Sequence, residues 1–309
     1  MIAVTAPTSK IGRQVLERLL AAGETVRVVV RDPDRLPTAV RERCETVVGS
    51  HRDPAVIGPA LRGVDALFWL MPPDLTAPDP VTAYRDASRP GAEAVATHGV
   101  GHVVGVSALG RGTPLAHRAG HVTGSLAMDD LFAATSHYRA LANPTFMDNT
   151  LRAAGALHDT ATLTSTTAPD HRLPLVATRD IADAAAHLLL DRSWSGFAET
   201  PLLGPEDLSG NDMAAVLSDV LADLLGRPVR YTQTDPELAG RAMLDHGASP
   251  GMARAMADMA TAKNEGLDEG VTRTPATTTP TTYRDWCTEN LRPVIAALGP
   301  ARDARQETA

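Results

Sequence analysis

Lysine is almost missing from this chain. Lys10 and Lys263 are its only two among 309 residues, and arginine carries the rest of the positive charge. A mechanism that needs a lysine amine inside the fold therefore has no candidate between positions 11 and 262. Cysteine is nearly as scarce. Cys44 and Cys287 stand far apart and fit neither a metal-ligand nor a redox spacing, so free thiols in a reducing compartment are expected. Runs of Lys or Arg are absent, and the net charge is -8 with a pI near 5.7. Such a chain does not attract nucleic acid or anionic lipid through its overall field, and neither is expected as a partner. No apolar stretch reaches the length of a bilayer span. The N-terminus opens on a strand-like run without the regions of a secretory signal, so the expectation is a cytoplasmic protein.

What is present is ordinary globular material. Hydrophobic residues make up 43% and charged residues 21%, enough to bury a sizeable core in one large domain or two small ones. Short apolar runs alternate with helical periodicity. MIAVT (1–5) is followed by IGRQVLERLLAAG, in which Ile11, Val15, Leu16, Leu19 and Leu20 share a face and Gly23 closes the helix. TVRVVV (25–30) reads as a strand buried on both faces. Residues 50–63 read as a turn and a helix, ALFWLMPP (66–73) as a strand broken by prolines, 80–98 as a helix and HVVGVSAL (102–109) as the next strand. Strands alternating with helices predict an α/β fold with a doubly wound parallel sheet. Further on, 121–135 reads as a helix, 136–149 as a strand running into an Asn-Pro break, and 180–191 as a helix capped by Asp180. Residues 212–226 and 240–263 read as helices, the second carrying Met243, Met252, Met256 and Met259. TRTPATTTPTT (272–282) reads as a linker without folded structure, 283–298 as a last helix, and 299–309 as a disordered tail.

Between the first strand and helix lies TAPTSKIG (5–12), where a dinucleotide-binding fold carries its phosphate loop. The usual glycine spacing falls on Ala6, Ser9 and Gly12, of which only Gly12 is glycine. Ile11 and Gly12 open the helix whose free N–H groups face the phosphates. Thr8 and Ser9 add hydroxyl donors and Lys10 a charge. At the end of the second strand stands Arg31 rather than a carboxylate, which suits a 2′-phosphate and favours NADP over NAD. Asp32 is free to pair with Arg31 or to cap the next turn.

The whole chain resembles the NmrA-like family of atypical short-chain dehydrogenases. The likeness rests on the first βαβ unit, on GSHRDP (49–54), LRGVDALFWL (61–70), NPTFMDN (143–149), PLVATRDIADAAAHLLLD (174–191), the GPEDLSGNDMAAVLSDVLADLLGRPVRY stretch (204–231) and TPTTYRDW (279–286). It implies a Rossmann domain over 1–150 and a smaller α+β portion over 151–298, with about 174–204 returning to the sheet. It implies a cofactor site drawn from Thr5, Thr8, Ser9, Lys10, Ile11 and Gly12, from Arg31 and Ser50, and from Leu70, Pro72, Ser107 and Pro144. An Asp usual at the adenine turn is Ser50 here. Short-chain dehydrogenases pair a Tyr with a Lys four residues on, and no tyrosine here has that partner. The lysine that atypical members place near position 125 is Ser125, and the Arg before the signature Pro is Asn143.

Two residues are left as catalytic candidates. Ser107 ends the fifth strand where the family's Ser or Thr faces the nicotinamide. His121 opens the next helix, and an imidazole there can act near neutral pH. His117 lies four residues before it, but Gly120 intervenes and no third ligand is evident, so no metal is predicted. Three functions fit: an NADPH-dependent oxidoreductase acting on a small carbonyl or enone, a non-catalytic NADP(H)-sensing regulator, or a non-redox cyclase or isomerase. The expected partners are a small-molecule substrate and, for assembly, a second copy in a homodimer.

Overall fold

The β-branched runs and amphipathic helices alternate as strand and crossover in a computed structural model that describes residues 1–299. The disordered tail expected over 299–309 lies, apart from Gly299, outside the described residues. In chain order the first half comprises β1 (Ile2–Thr5), α1 (Lys10–Ala21), β2 (Val26–Val30), α2 (Thr38–Arg41), β3 (Cys44–Val48), α3 (Pro54–Ala60), β4 (Ala66–Trp69), α4 (Ala87–His98), β5 (His102–Ala108), α5 (His121–Ala133) and β6 (His137–Asn143). The second half runs β7 (Thr145–Phe146), α6 (Ala154–Thr160), β8 (Thr162–Ser165), β9 (Leu173–Val176), α7 (Thr178–Leu190), β10 (Phe197–Pro201) and β11 (Asp207–Leu208). It continues with α8 (Gly210–Val220), α9 (Ala222–Leu225), β12 (Arg230–Gln233), α10 (Pro236–Asp245), α11 (Pro250–Asn264), α12 (Tyr283–Trp286) and α13 (Arg292–Ala297).

The central sheet has seven parallel strands in the order β10-β6-β5-β4-β1-β2-β3. The chain reverses its direction of travel between β1 and β4. In a doubly wound sheet that point, at the carboxyl ends of the strands, opens the ligand crevice. Both faces are covered, as the continuous apolar runs require. Ile2, Val4, Val28 and Phe68 meet α1 and α7 on one side; Ala3, Val29, Leu67 and Trp69 meet α3, α4 and α5 on the other. On α1 the buried stripe is Ile11, Val15, Leu16, Leu19 and Leu20, each 4% exposed or less. At about 1.5–3 kcal/mol per buried side chain, that stripe contributes on the order of 10 kcal/mol before chain entropy.

The smaller part joins β7, β9 and β11 in one sheet and β8 with β12 in another, around a third core that includes Leu157, Leu217 and Trp286. β10 leaves it to pair with β6 at the edge of the main sheet. Among the described residues, no helix is long and apolar enough to cross a membrane.

Three local readings are corrected. The single helix expected over 240–263 is two, because Gly247 takes a φ of +83° and Ser249 caps a new helix with Pro250 at its first turn. Asp180 does not cap its helix. α7 starts at Thr178, and the Asp180 carboxylate instead accepts from the Thr281 hydroxyl at 2.7 Å and the Thr281 N–H at 3.2 Å. The Thr/Pro stretch is accordingly docked. Thr279 and Thr281 are buried, and Leu203 exchanges backbone bonds with Thr277 and Thr279.

Candidate functional site

The loop after β1 keeps the geometry of a phosphate cradle without its first two glycines. Ala6 sits at φ +47°, a left-handed conformation in which an alanine costs about 1–2 kcal/mol. Ser9 caps α1 by accepting the Gly12 N–H at 3.0 Å, and its own N–H bonds to the Ala6 carbonyl at 3.0 Å. Gly12 has no substitute. A Cβ there would stand 2.2 Å from the Ala6 carbonyl oxygen. The N–H groups of Lys10 and Ile11, the first of the helix, have no turn behind them and remain available at its positive end.

Beside this loop lies a cavity of about 480 Å³. Thr8, Ser9, Arg31, Ser50 and Pro72 line it together with Ala6, so five of the twelve expected cofactor residues converge there. Arg35, His51 and Arg52 line it too, and the sequence reading did not name them. Asp32 takes the second of its two alternatives: it caps the turn Pro33–Arg35, accepting from the Asp34 N–H at 3.1 Å. Among the described residues, Arg31 and Arg35 thus form no ion pair. Arg52 is held by Asp74 at 3.3 Å, and His51 packs edge-on to Trp69 with its pKa lowered to about 4 by burial and by the neighbouring Arg52 and Arg31. The N–H groups at the helix end and two guanidiniums without an ion pair are donors of the kind that anionic phosphates accept from.

The other expected residues have different surroundings. The Thr5 hydroxyl is committed to β4, donating to the Phe68 carbonyl at 3.1 Å and accepting from the Leu70 N–H at 2.9 Å. Lys10 turns toward Asp148 at 3.4 Å, and Ile11 is buried in the core. Pro144 follows β6 directly. Before it, Asn143 is 2% exposed; its amide donates to the Ser107 carbonyl at 3.0 Å, while its Oδ1 has no donor among the described residues.

Ser107 is the hub of a buried network. Its hydroxyl donates to Asp129 and lies 3.4 Å from the Ser125 hydroxyl. Tyr138 donates to the other oxygen of Asp129 at 2.6 Å, and Arg111 approaches at 3.4 Å. Asp129 is 0% exposed, and burial raises its pKa to about 6 against the opposing pull of these donors. Gly105 makes the cluster possible, since a Cβ there would lie 1.9 Å from the Tyr138 hydroxyl. His121 is 7% exposed, has no partner at either ring nitrogen among the described residues, and has its pKa lowered by burial. Tyr84 meets it edge-on at 6.1 Å. His117 sits exposed in a separate turn, Ala116–Arg118, so the pair does not share a helix face.

Asp129 and Tyr138 were missed as functional residues, yet the sequence carries a signal for them. His121, Ser125 and Asp129 recur every four residues on α5, placing three polar groups on one helix face. Their burial shows that this face is the inner one. A glycine in the middle of β5 marks a close approach.

This geometry has known counterparts. Residues 7–192 match the family described as NAD(P)H-binding. The (4-alkanoyl-5-oxo-2,5-dihydrofuran-3-yl)methyl phosphate reductase of Streptomyces griseus is 31% identical over 295 residues, covering 94% of this chain and 98% of that protein. A nucleoside-diphosphate-sugar epimerase from Staphylococcus aureus shares the fold with a TM-score of 0.78 at 17% identity, over 93% of this chain and 99% of that one. An NADPH-dependent quinone oxidoreductase of Escherichia coli, solved with NADPH, does so with a TM-score of 0.71 at 20% identity, over 96% and 99%. The chain belongs to the NAD(P)H-binding family, with the Rossmann-type sheet and the NmrA-like affinity that its motifs imply.

Proposed function

We propose that this protein is an NADPH-dependent oxidoreductase that reduces a small, largely apolar carbonyl or enone. The observation that carries the reading is the pair Arg31 and Arg35, both without an acidic partner among the described residues, lining the phosphate-loop cavity at the end of β2. A 2′-phosphate supplies the anion that these guanidiniums lack, and a hydrogen bond to a charged group is worth about 1.5–3 kcal/mol. NADH brings no such anion. The Streptomyces relative is named as a reductase, which supports redox use of the cofactor. A second cavity of about 400 Å³, walled by Phe146, Leu163, Leu175, Leu208 and Met213, starts just beyond Pro144 and suits an apolar substrate.

Calorimetric titration of NADPH and NADH into wild type and Arg31→Ala tests the cofactor. The expected result is tighter NADPH binding in wild type and a loss of roughly tenfold or more in the variant for NADPH alone. Equal NADPH affinity in the two proteins refutes the role given to Arg31. Turnover is read as NADPH consumption over a panel of carbonyls and enones. Tight binding with no turnover shifts the reading to a non-catalytic NADP(H) sensor, which the missing lysine at Ser125 favours.

A further inference from the structure

A hydride reduction also needs a proton, and the usual Tyr–Lys source is absent from this chain. We propose that Asp129 is the proton store behind Ser107, so that the pair acts as a two-member relay from the interior of α5 to the carboxyl end of β5. The proposal rests on the reductase reading above. On this proposal Ser107, one residue from the carboxyl end of β5, is the group that faces the reaction. Asp129 acts through it and is a positioning residue.

Three observations carry this. The hydrogen bond from Ser107 goes to a carboxyl group with no access to solvent. The second oxygen of that carboxyl accepts from Tyr138, and the oxygen that accepts from Ser107 also has the Arg111 guanidinium at 3.4 Å, so Ser107 is the group through which a proton can pass to or from it. The charged groups around it are few and known. Among the described residues Arg111 is the one cation in contact, and Asp130 and Glu199 share that guanidinium at 2.6 and 3.2 Å. Ser125, on the same helix, completes the surroundings of Ser107. Burial lifts the Asp129 pKa to about 6, so both of its forms are reachable between mildly acidic and neutral pH.

The two protonation states give Ser107 opposite polarity. With Asp129 ionised, the hydroxyl hydrogen is turned inward and the oxygen can only accept from the crevice. With Asp129 protonated, the carboxyl donates to Ser107 and the hydroxyl hydrogen turns outward. When bound, the reduced nicotinamide supplies the hydride. For a carbonyl, a C–H bond forms at carbon and the π pair moves to oxygen. That oxygen takes the Ser107 proton, Ser107 takes the Asp129 proton, and Asp129 is left as carboxylate. As product leaves, a proton taken up from bulk solvent returns through Ser107 to the Asp129 carboxylate.

The test needs wild type, Asp129→Asn, Ser107→Ala and Tyr138→Phe. In the protein without cofactor, carbon-13 NMR of labelled aspartates is followed from pH 4.5 to 8. One signal, lost in Asp129→Asn, should titrate near pH 6. Tyr138→Phe removes a donor to the charged form and should move that titration to higher pH; Ser107→Ala should move it the same way. A carboxyl that stays in one form across the range overturns the proposal whatever the activity. With NADPH and cyclohex-2-enone, kcat should fall as pH rises past that titration. Asp129→Asn should lower kcat by roughly 10²-fold or more, flatten the pH profile and leave the KM for NADPH unchanged. A pH profile in Asp129→Asn identical to wild type also overturns it. If Asp129→Asn does not fold, Tyr138→Phe alone decides, through the direction in which the titration and the kcat profile move together. A chain that titrates as described but turns over no carbonyl defeats the reductase reading, not the coupling of Asp129 to Ser107.

Discussion

The two ends of the ligand crevice are built in different ways. At β1 and β2 the site is backbone and open charge: a helix end, a loop of small residues, and two arginines standing in solvent. At β5 it is a sealed set of side chains, in which Ser107, Asp129 and Tyr138 come from two strands and a helix and satisfy one another. The first arrangement leaves its donors free for a ligand. The second spends its donors internally: the Ser107 and Tyr138 hydroxyls both go to Asp129. Holding an anion needs unsatisfied groups, whereas moving a proton needs groups already in contact.

Four perturbations sharpen or break this contrast. The largest is expected at Gly12. Gly12→Ala puts a methyl group into the Ala6 carbonyl and should abolish measurable NADPH binding, a loss of 100-fold or more by calorimetry, while far-ultraviolet dichroism stays that of the folded chain.

Next comes Asp129→Asn, read by urea denaturation across pH. Folding raises the pKa of Asp129 from 3.8 to about 6, so the protonated form is favoured in the native state. Its contribution is complete below about pH 4 and is lost as pH rises through 6, a change on the order of 3 kcal/mol. The asparagine variant should therefore gain on wild type by that order between pH 4 and pH 7. A constant difference between the two proteins would remove the buried carboxyl from the account.

Third, Arg35→Ala should weaken NADPH binding by roughly 2–10-fold, less than Arg31→Ala, with an effect that shrinks as salt rises. The smallest effect is Ala6→Gly. Relieving the left-handed alanine while adding chain entropy should stabilise the protein by no more than about 1 kcal/mol and leave NADPH affinity equal or slightly tighter. A large loss at Ala6 would mean that its methyl group contacts the cofactor.

The same contrast governs what the sequence made legible. The phosphate loop and the sheet were readable because their signals are local: a spacing of small residues, runs of β-branched residues, and a helix stripe at positions 11, 15, 16, 19 and 20. The Ser107 network was not, because its bonded pairs lie 9 to 36 positions apart and become neighbours only when β5, β6 and α5 pack. Asp180 and the stretch 272–282 were misread together for one reason. Each looked unpartnered locally, as a helix cap and a linker, and each is the other's hydrogen-bond partner about a hundred residues away. Arg35 was overlooked because it lies beyond the end of β2 and reaches the cavity only through the turn Pro33–Arg35 that Asp32 caps.

The late strand Phe197–Pro201 has a practical consequence for anyone dividing the chain. Its five residues cover the outer edge of β6. A fragment ending near residue 150 would expose that row of peptide groups as an open template for other chains, with no covering strand and no charged side chain from β10 to discourage pairing. Such a fragment is expected to aggregate. A shortened protein that keeps the crevice has to retain residues through the end of β10.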